Sequence, residues 1–287
     1  MNIGKQFFLM LLCCSIFGTL NTGCQTLKQT NEADERQTEV LATQKTVIVS
    51  FLNKGLPGLA LKELRRVMRE NPDDADFFNL LGLTHLALEN PDKAISNFKR
   101  SYEIDPRTSV GLNLSSAYIE DKRFNQAIST LEVIKKSKDI KDYQYPERLS
   151  HNLALAYERL GNLNAAIKHY TLALSENPNY YLTLMRLGQV YEKKKKRYAA
   201  QDTFRKARSA CPACFDPVNA LVVNYMAAGK HRAAYESLQR FKNAKTTSAK
   251  DKRRAVKLMS MVKRLAIKNR KARRHAQFNK NNTNKTR

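Results

Sequence analysis

The sequence predicts an all-α fold in which helical hairpins are stacked side by side. Alanine recurs at steps of 34, 33, 39, 34 and 34 residues, at Ala60, Ala94, Ala127, Ala166, Ala200 and Ala234. Nine residues before each alanine stands a ring side chain, in the order Phe51, His85, Tyr118, Tyr157, Tyr191 and Tyr225. Twelve residues after four of the alanines stands a proline, which would end one hairpin and begin the next, at Pro72, Pro106, Pro178 and Pro212. A period of this length indicates a repeat array.

The composition agrees with layered helices. The 287 residues include 42% apolar side chains and no tryptophan. Because a repeat array grows by adding hairpins, its core lengthens with the chain and does not thicken. We therefore expect one continuous array without a deep central pocket.

The N-terminus differs in composition from the repeats. Lys5 precedes an apolar run over residues 7–17, which is followed by small and polar residues up to Gly23. The run is shorter than the roughly 20 apolar residues that cross a bilayer, so residues 1–23 are predicted to be an export signal peptide. Removal by plain cleavage and retention as a membrane anchor both remain open for this segment.

The segment Thr22-Gly23-Cys24 resembles the lipobox of bacterial lipoproteins. The resemblance implies that Cys24 is acylated and becomes the first residue of the mature chain, where several acyl chains would hold it on a membrane. Gln25 follows the cysteine, which in enterobacterial lipoproteins favours the outer membrane. The polar residues after Cys24 are predicted to form a flexible tether, with the lipidated segment spanning 24–40.

Cys211 and Cys214 form a CxxC motif in an exported chain. The repeat register places Cys211 after the second helix of the fifth hairpin, where the helix dipole disfavours a thiolate. A disulfide across the turn is therefore the favoured prediction. Free thiols, a shared metal and redox catalysis remain open, although two thiols without a nearby histidine are too few ligands for zinc.

The clearest repeat covers residues 75–108, where the anchor residues are Phe78, Leu81, Gly82, His85, Ala94, Phe98 and Pro106. Their spacing resembles a tetratricopeptide repeat. Six such units are predicted, over 41–74, 75–108, 108–141, 147–180, 181–214 and 215–248. The resemblance implies a right-handed superhelical solenoid whose hairpins pack closely at small residues.

The same resemblance implies a concave groove lined by the first helix of each hairpin, which would bind a helix or an extended segment of another protein. The family's groove positions fall on Asn79, Leu83, Leu86, Leu112, Ser116, Ile119, Arg148, His151, Leu155, Met185, Gln189, Asn219, Val223 and Met226. The set is more apolar than an ordinary free surface. Packing of some of these residues against the next hairpin is the alternative.

Five additional residues separate the third and fourth units, and the sequence Tyr145-Pro146-Glu147-Arg148 stands at this junction. The junction, the lipobox and the six repeats together resemble the PilF/PilW/Tgl lipoproteins of type IV pilus biogenesis. The resemblance implies an outer-membrane lipoprotein that faces the periplasm, binds secretin subunits and promotes their assembly. A general periplasmic adaptor for outer-membrane assembly or peptidoglycan synthesis is the alternative.

The C-terminus is strongly basic. Of the net charge of +25, fourteen charges lie in residues 249–287, which contain fifteen Lys or Arg and one acid. Apolar residues at helical spacing predict a basic capping helix over 249–276, followed by a disordered tail over 277–287. Contact with anionic lipid headgroups, cell-wall polymers or an acidic partner is the alternative role, whereas nucleic acid is not expected for an exported chain.

The sequence does not indicate catalysis. The five histidines are scattered over different hairpins, and HExxH, phosphate-loop and GxSxG motifs are absent from the sequence. We therefore expect a monomeric binding protein, not an enzyme, without a metal or another cofactor.

Overall fold

The computed structural model describes residues 36–283, which form thirteen α-helices and one 3-10 helix and contain no strand. The prediction of an all-α repeat fold is confirmed. The helices are α1 (36–53), α2 (Pro57–Val67), α3 (Ala75–Ala87), α4 (Pro91–Ile104), α5 (Thr108–Glu120), α6 (Phe124–Ile134), α7 (Glu147–Arg159), α8 (Leu163–Glu176), α9 (Tyr181–Lys193), α10 (Arg197–Ala210), α11 (Phe215–Ala227), α12 (His231–Asn243) and α13 (Ala249–Thr283).

The chain divides into two compact units at Pro106. The first unit contains two hairpins, α1–α2 and α3–α4. Its apolar cluster draws on three successive helices, with Ile48 from α1, Leu64 from α2 and Phe77 from α3 all fully buried. The two hairpins therefore share one core.

The second unit contains four hairpins, from α5–α6 to α11–α12, and then α13. Each apolar cluster joins one hairpin to the next, except the last, which joins α11 and α12 to α13. Tyr170 of α8, for example, lies in one cluster with Ala154 of α7 and Val190 of α9. Since the core is shared between neighbours, no hairpin buries its apolar face alone.

Small residues allow the two helices of a hairpin to approach closely. All six alanines of the repeating column are fully buried. A Cβ built on Gly82 would lie 2.6 Å from Cδ1 of Phe98, and one built on Gly188 would lie 2.6 Å from Cδ1 of Phe204. Both phenylalanine rings are fully buried, so each glycine leaves the space that a ring fills.

Every hairpin turns between its two helices through one residue with positive φ, namely Gly55, Glu89, Lys122, Gly161, Lys195 and Gly229. In each turn the next residue donates its backbone N–H to the carbonyl of the recurring ring residue, the one that stands nine positions before the repeating alanine. Lys196 does so to Tyr191 O at 2.8 Å. This is the 6→1 hydrogen bond that ends many helices. Only three of the six turn residues are glycine, so the sequence shows no glycine column here.

The five additional residues belong to a connection between α6 and α7 that contains the 3-10 helix Asp139–Asp142. Asp139 Oδ2 accepts the backbone N–H of Thr108 at 2.6 Å, at the start of α5. The connection therefore supplies an acceptor for a backbone N–H at the N-terminus of α5, where such groups have no partner within the helix.

Both ends of the array differ from the predicted bounds. The prediction of a flexible tether does not hold for residues 36–40, which are helical. They belong to α1, which begins ahead of the first predicted repeat. The C-terminal helix continues beyond 276 to Thr283, so the predicted disorder does not hold for 277–283. The extension over 277–283 contains three asparagines and one threonine, which are weak helix formers, so intrinsic propensity does not explain it.

The predicted signal peptide, Cys24 and residues 284–287 lie outside the described residues. Among residues 36–283, no helix combines the length and the apolarity that a bilayer crossing requires.

Candidate protein-binding surface

The first helices of successive hairpins in the second unit lie next to one another. His151 Nδ1 of α7 lies 2.7 Å from Thr183 Oγ1 of α9 in a hydrogen bond. Asn224 of α11 donates from Nδ2 to Glu192 Oε1 of α9 at 3.0 Å. The helices α7, α9 and α11 therefore form a continuous row.

The outer sides of α9 and α11 expose apolar residues at helical spacing. Leu182 is 54% exposed and Val223 is 55% exposed. Met185, Met226 and Leu155 of α7 are half-buried. Met185 packs against the cluster of α10 and α11, and Met226 packs against the cluster of α11, α12 and α13. Leu182 stands at the second position of its repeat and shares the groove register, yet it was not among the predicted residues.

Polar groups accompany these apolar residues. Gln189, one helical turn beyond Met185, is exposed, and so is Asn219, one turn before Val223. Side-chain amides can both donate and accept hydrogen bonds, as the backbone of a bound peptide requires. We call the set Leu182, Met185, Gln189, Asn219, Val223 and Met226 the binding face; four of its residues are exposed and the two methionines are half-buried.

Three of the predicted groove residues are buried, so their assignment to a ligand surface is wrong. Leu112 is fully buried, Ile119 is 4% exposed and His151 is 7% exposed. Leu112 packs in the cluster that joins α5, α6 and α7. Leu112 contacts α7 and His151 contacts α9, each in the following hairpin, which is the alternative that the sequence left open.

Five further predicted groove residues are partly buried. In the first unit these are Asn79, Leu83 and Leu86, and Leu83 packs against the local apolar cluster. In the second unit, Ser116 donates to Leu112 O at 2.9 Å, and Arg148 donates from Nη1 to the Tyr143 hydroxyl at 3.1 Å. Their side chains therefore take part in local structure as well as in the surface.

A buried polar network lies beneath the row of first helices. Glu158 accepts hydrogen bonds from the Tyr170 hydroxyl at 2.8 Å and from Lys193 Nζ at 2.6 Å, and it is 6% exposed. Burial, the Glu158 carboxylate and its hydrogen bond raise the pKa of Tyr170 above its usual range. Because both acceptor oxygens are used, the network ties α7, α8 and α9 in one arrangement.

His151 is the histidine most affected by its surroundings. Burial lowers its pKa to about 4, and Arg186 and Arg148 add to this effect, which Glu158 opposes. Its ring lies between Tyr170 and Tyr180, at centroid distances of 5.6 and 5.2 Å. Near neutral pH the imidazole is therefore an uncharged packing group.

Cys211 and Cys214 are joined in a disulfide across the turn between α10 and α11. Cys211 caps the C-terminal end of α10, as the repeat register places it. Among the described residues, no group of three or more His, Cys, Asp or Glu could hold a metal ion.

Replacing both cysteines by serine is expected to lower the free energy of unfolding by about 2 kcal/mol, since the disulfide closes a short loop. Urea unfolding followed by circular dichroism measures the change. Adding a reductant to the unaltered protein should reproduce it. A redox role would instead predict loss of function in the variant without loss of stability.

Comparisons with known proteins define the class of the chain. Models described as tetratricopeptide repeat match residues 49–107, 149–180 and 182–214. These segments lie in the hairpins described above, so the chain is a protein built from tetratricopeptide repeats. Such arrays use extended surfaces to bind partners. A comparison with curated proteins gives no match.

Two solved structures resemble the chain over most of its length. The crystal structure of PilW, described as a widely conserved type IV pilus biogenesis factor, matches with a TM-score of 0.63 and 15% identity, covering 72% of this chain and 96% of PilW. Pseudomonas aeruginosa PilF matches with a TM-score of 0.59 and 16% identity, covering 75% of this chain and 96% of PilF. At these identities the matches establish a shared fold.

A third match shows how widely this fold is used. A human IFIT1 dimer with PPP-AAAA matches with a TM-score of 0.51 and 16% identity, covering 67% of this chain and 46% of IFIT1. The partner of the present chain must therefore be argued from its own residues.

Proposed function

We propose that the protein is an outer-membrane lipoprotein that binds type IV pilus secretin subunits and promotes their assembly. The observation that carries the proposal is the match to PilW and PilF, which covers 96% of each of those chains. The lipobox-like segment ending at Cys24 and the Tyr145–Arg148 junction support it from the sequence. In this proposal the protein is anchored by lipid, faces the periplasm and acts by binding, not by catalysis.

The binding face supplies a surface of suitable chemistry. Exposed aliphatic side chains such as Leu182 and Val223 gain free energy when a partner covers them. Gln189 and Asn219 stand between them and can pair with the backbone of an extended or helical segment. A short segment of a secretin subunit, apolar on one side, is the partner that this surface fits.

The anchor is tested by Cys24→Ala. In cells that lack the native protein, this variant is expected to leave secretin as monomers, because the protein would not be held at the outer membrane. Heat-resistant secretin multimers on gels are the readout. Multimers at the normal level, with the variant released from membranes, would contradict a role of the anchor in assembly, and a variant that stays on membranes would contradict anchoring through Cys24.

The binding face is tested by the double variant Leu182→Asp/Val223→Asp. We expect at least about a ten-fold loss of secretin multimers, since a carboxylate in an apolar contact costs roughly the energy of a binding hot spot. The matched control is Val133→Asp/Leu172→Asp, which alters two aliphatic residues on second helices that are 61% and 44% exposed. Equal effects of the two variants would refute the assignment of the face.

Crosslinking separates the secretin proposal from an adaptor role. A photoreactive residue at Met226 should capture secretin in intact cells, whereas one at Leu172 should not. Capture of an outer-membrane assembly or peptidoglycan protein at Met226, with normal secretin multimers in the deletion strain, would replace the proposal with the adaptor role.

A further inference from the structure

The C-terminal helix α13 carries charge of almost one sign. Thirteen of its 35 residues are Lys or Arg, and Asp251 is its one acid. Arg254 pairs with Asp251 at 3.0 Å, and it is the one cation of α13 with an ion-pair partner among those whose side chains the structure describes. A surface that served solubility alone would mix both signs, because a row of like charges repels itself.

The burial pattern divides the helix into an inner and an outer side. Ala255, Met259 and Val262 pack into the cluster formed by α11 and α12. The opposite side carries cations that are all exposed, at Arg253, Lys257, Arg264, Lys268 and Lys271. At 100° per residue these five lie within an arc of roughly 60°, and they span about 27 Å along the helix. They form a straight outer row.

Exposed aliphatic residues flank the outer row on both sides. Val256 and Ile267 lie on one side and are 52% and 57% exposed. Met261 and Leu265 lie on the other side and are 51% and 36% exposed. The outer row therefore has apolar side chains beside the cations along its length.

A cleft between α12 and α13 extends the basic surface. Its volume is about 790 Å³, and its lining includes the cations Lys230, Lys263, Arg270 and Arg274 and the apolar residues Val262 and Ala266. Its one acid, Glu236, pairs with Arg232 at 2.8 Å. Lys263 Nζ lies 5.0 Å from the centroid of the Tyr235 ring. Cations beside apolar groups are suited to a phosphate that is attached to an apolar body.

We propose that the outer row of α13 docks on the surface of an anionic phospholipid membrane. A plane of headgroups offers counter-charge at every position of a straight row, and the flanking aliphatic side chains can enter the boundary between headgroups and acyl chains. The inference goes beyond the proposed function, because this contact needs neither Cys24 nor a secretin partner. It adds a second, C-terminal contact with a membrane.

The test uses the polypeptide from residue 25 onward, which contains every residue that the structure describes. It is sedimented with vesicles of phosphatidylcholine containing about 30% phosphatidylglycerol, and with vesicles of phosphatidylcholine alone. Binding to the anionic vesicles is expected at about 50 mM salt and should largely disappear at about 500 mM, since the contacts are exposed charges. Equal binding to both kinds of vesicle, or none to the anionic kind, would overturn the proposal.

The variant that identifies the surface replaces the five residues of the outer row by glutamine. Each cation near an anionic membrane contributes about five-fold in affinity, so the loss of all five should weaken vesicle binding by roughly a hundred-fold or more. The matched control replaces five exposed cations of the first unit by glutamine, at Lys54, Lys62, Arg65, Arg69 and Lys93. Both variants lose the same charge.

The control variant should bind vesicles within about three-fold of the unaltered protein. Equal losses in the two variants would show that net charge alone governs binding. Retention of a single-stranded oligonucleotide at a salt concentration that releases the vesicles would assign the row to nucleic acid instead. Secretin multimers in cells that carry the glutamine variant report on the proposed function separately.

Discussion

Acidification from about pH 7 to about pH 4 is expected to lower the free energy of unfolding by about 3 kcal/mol through His151 alone. Burial lowers the pKa of this imidazole to about 4 in the folded protein, from 6.5 for an unperturbed histidine. Between these values the unfolded chain binds a proton that the folded chain does not bind. The stabilisation is therefore complete above pH 6.5 and is lost as the pH falls toward 4.

The variants His151→Gln and His151→Phe test this expectation. Both remove the titrating group, so the difference in unfolding free energy between neutral and acid solution should shrink by about 3 kcal/mol. Glutamine can keep a hydrogen bond to Thr183, and phenylalanine keeps the ring between Tyr170 and Tyr180. Burial also lowers the pKa values of His85 and His169, but these residues are unchanged in both variants. Urea unfolding at several pH values gives the slopes, and unchanged slopes would contradict the assignment.

The substitution of glycine by alanine is expected to have opposite effects at two helical positions. At Gly188 the new Cβ would overlap the Phe204 ring, which is fully buried and cannot move aside freely. We expect a loss of roughly 1–3 kcal/mol in stability from overpacking. At Gly58 nothing lies within 4 Å of the new Cβ, so alanine should stabilise by up to about 1 kcal/mol.

A second substitution tests the cause at Gly188. Phe204→Ala alone should cost roughly 3–5 kcal/mol, because it opens a cavity in the core. In combination with Gly188→Ala the two losses should be less than additive, since the overlap has been removed. Strict additivity in urea unfolding would show that the Gly188 effect has another origin.

The repeat architecture could be predicted because its determinants recur in the sequence. The alanine column marks positions that are fully buried in every hairpin, and a buried position tolerates few residue types. The hairpin turns could not be predicted in this way, because no single residue type occupies the turn position in all six hairpins. The residues with positive φ include Glu89, Lys122 and Lys195. They need not be glycine, because a backbone hydrogen bond to the carbonyl of the recurring ring residue holds each turn.

The candidate surface could be predicted only in part. Helical spacing identifies which residues share a side of a helix, and it placed Val223 and Gln189 on the exposed side. It does not reveal how closely the next hairpin packs. Leu112 is covered by α6 and α7, and His151 is in contact with α9. Tertiary packing therefore buries both side chains. The contacts with α7 and α9 come from the following hairpin, so neither of them has a signal within the residue's own repeat.

The hairpin turns offer fixed positions for spectroscopic labels. Lys122 and Lys195 belong to the second unit, are exposed and occupy equivalent places in the third and fifth hairpins. Because the backbone holds these turns, a spin label or fluorophore attached there would disturb no apolar contact. The separation of two such labels would report, in solution, whether the row of hairpins bends when a partner is bound.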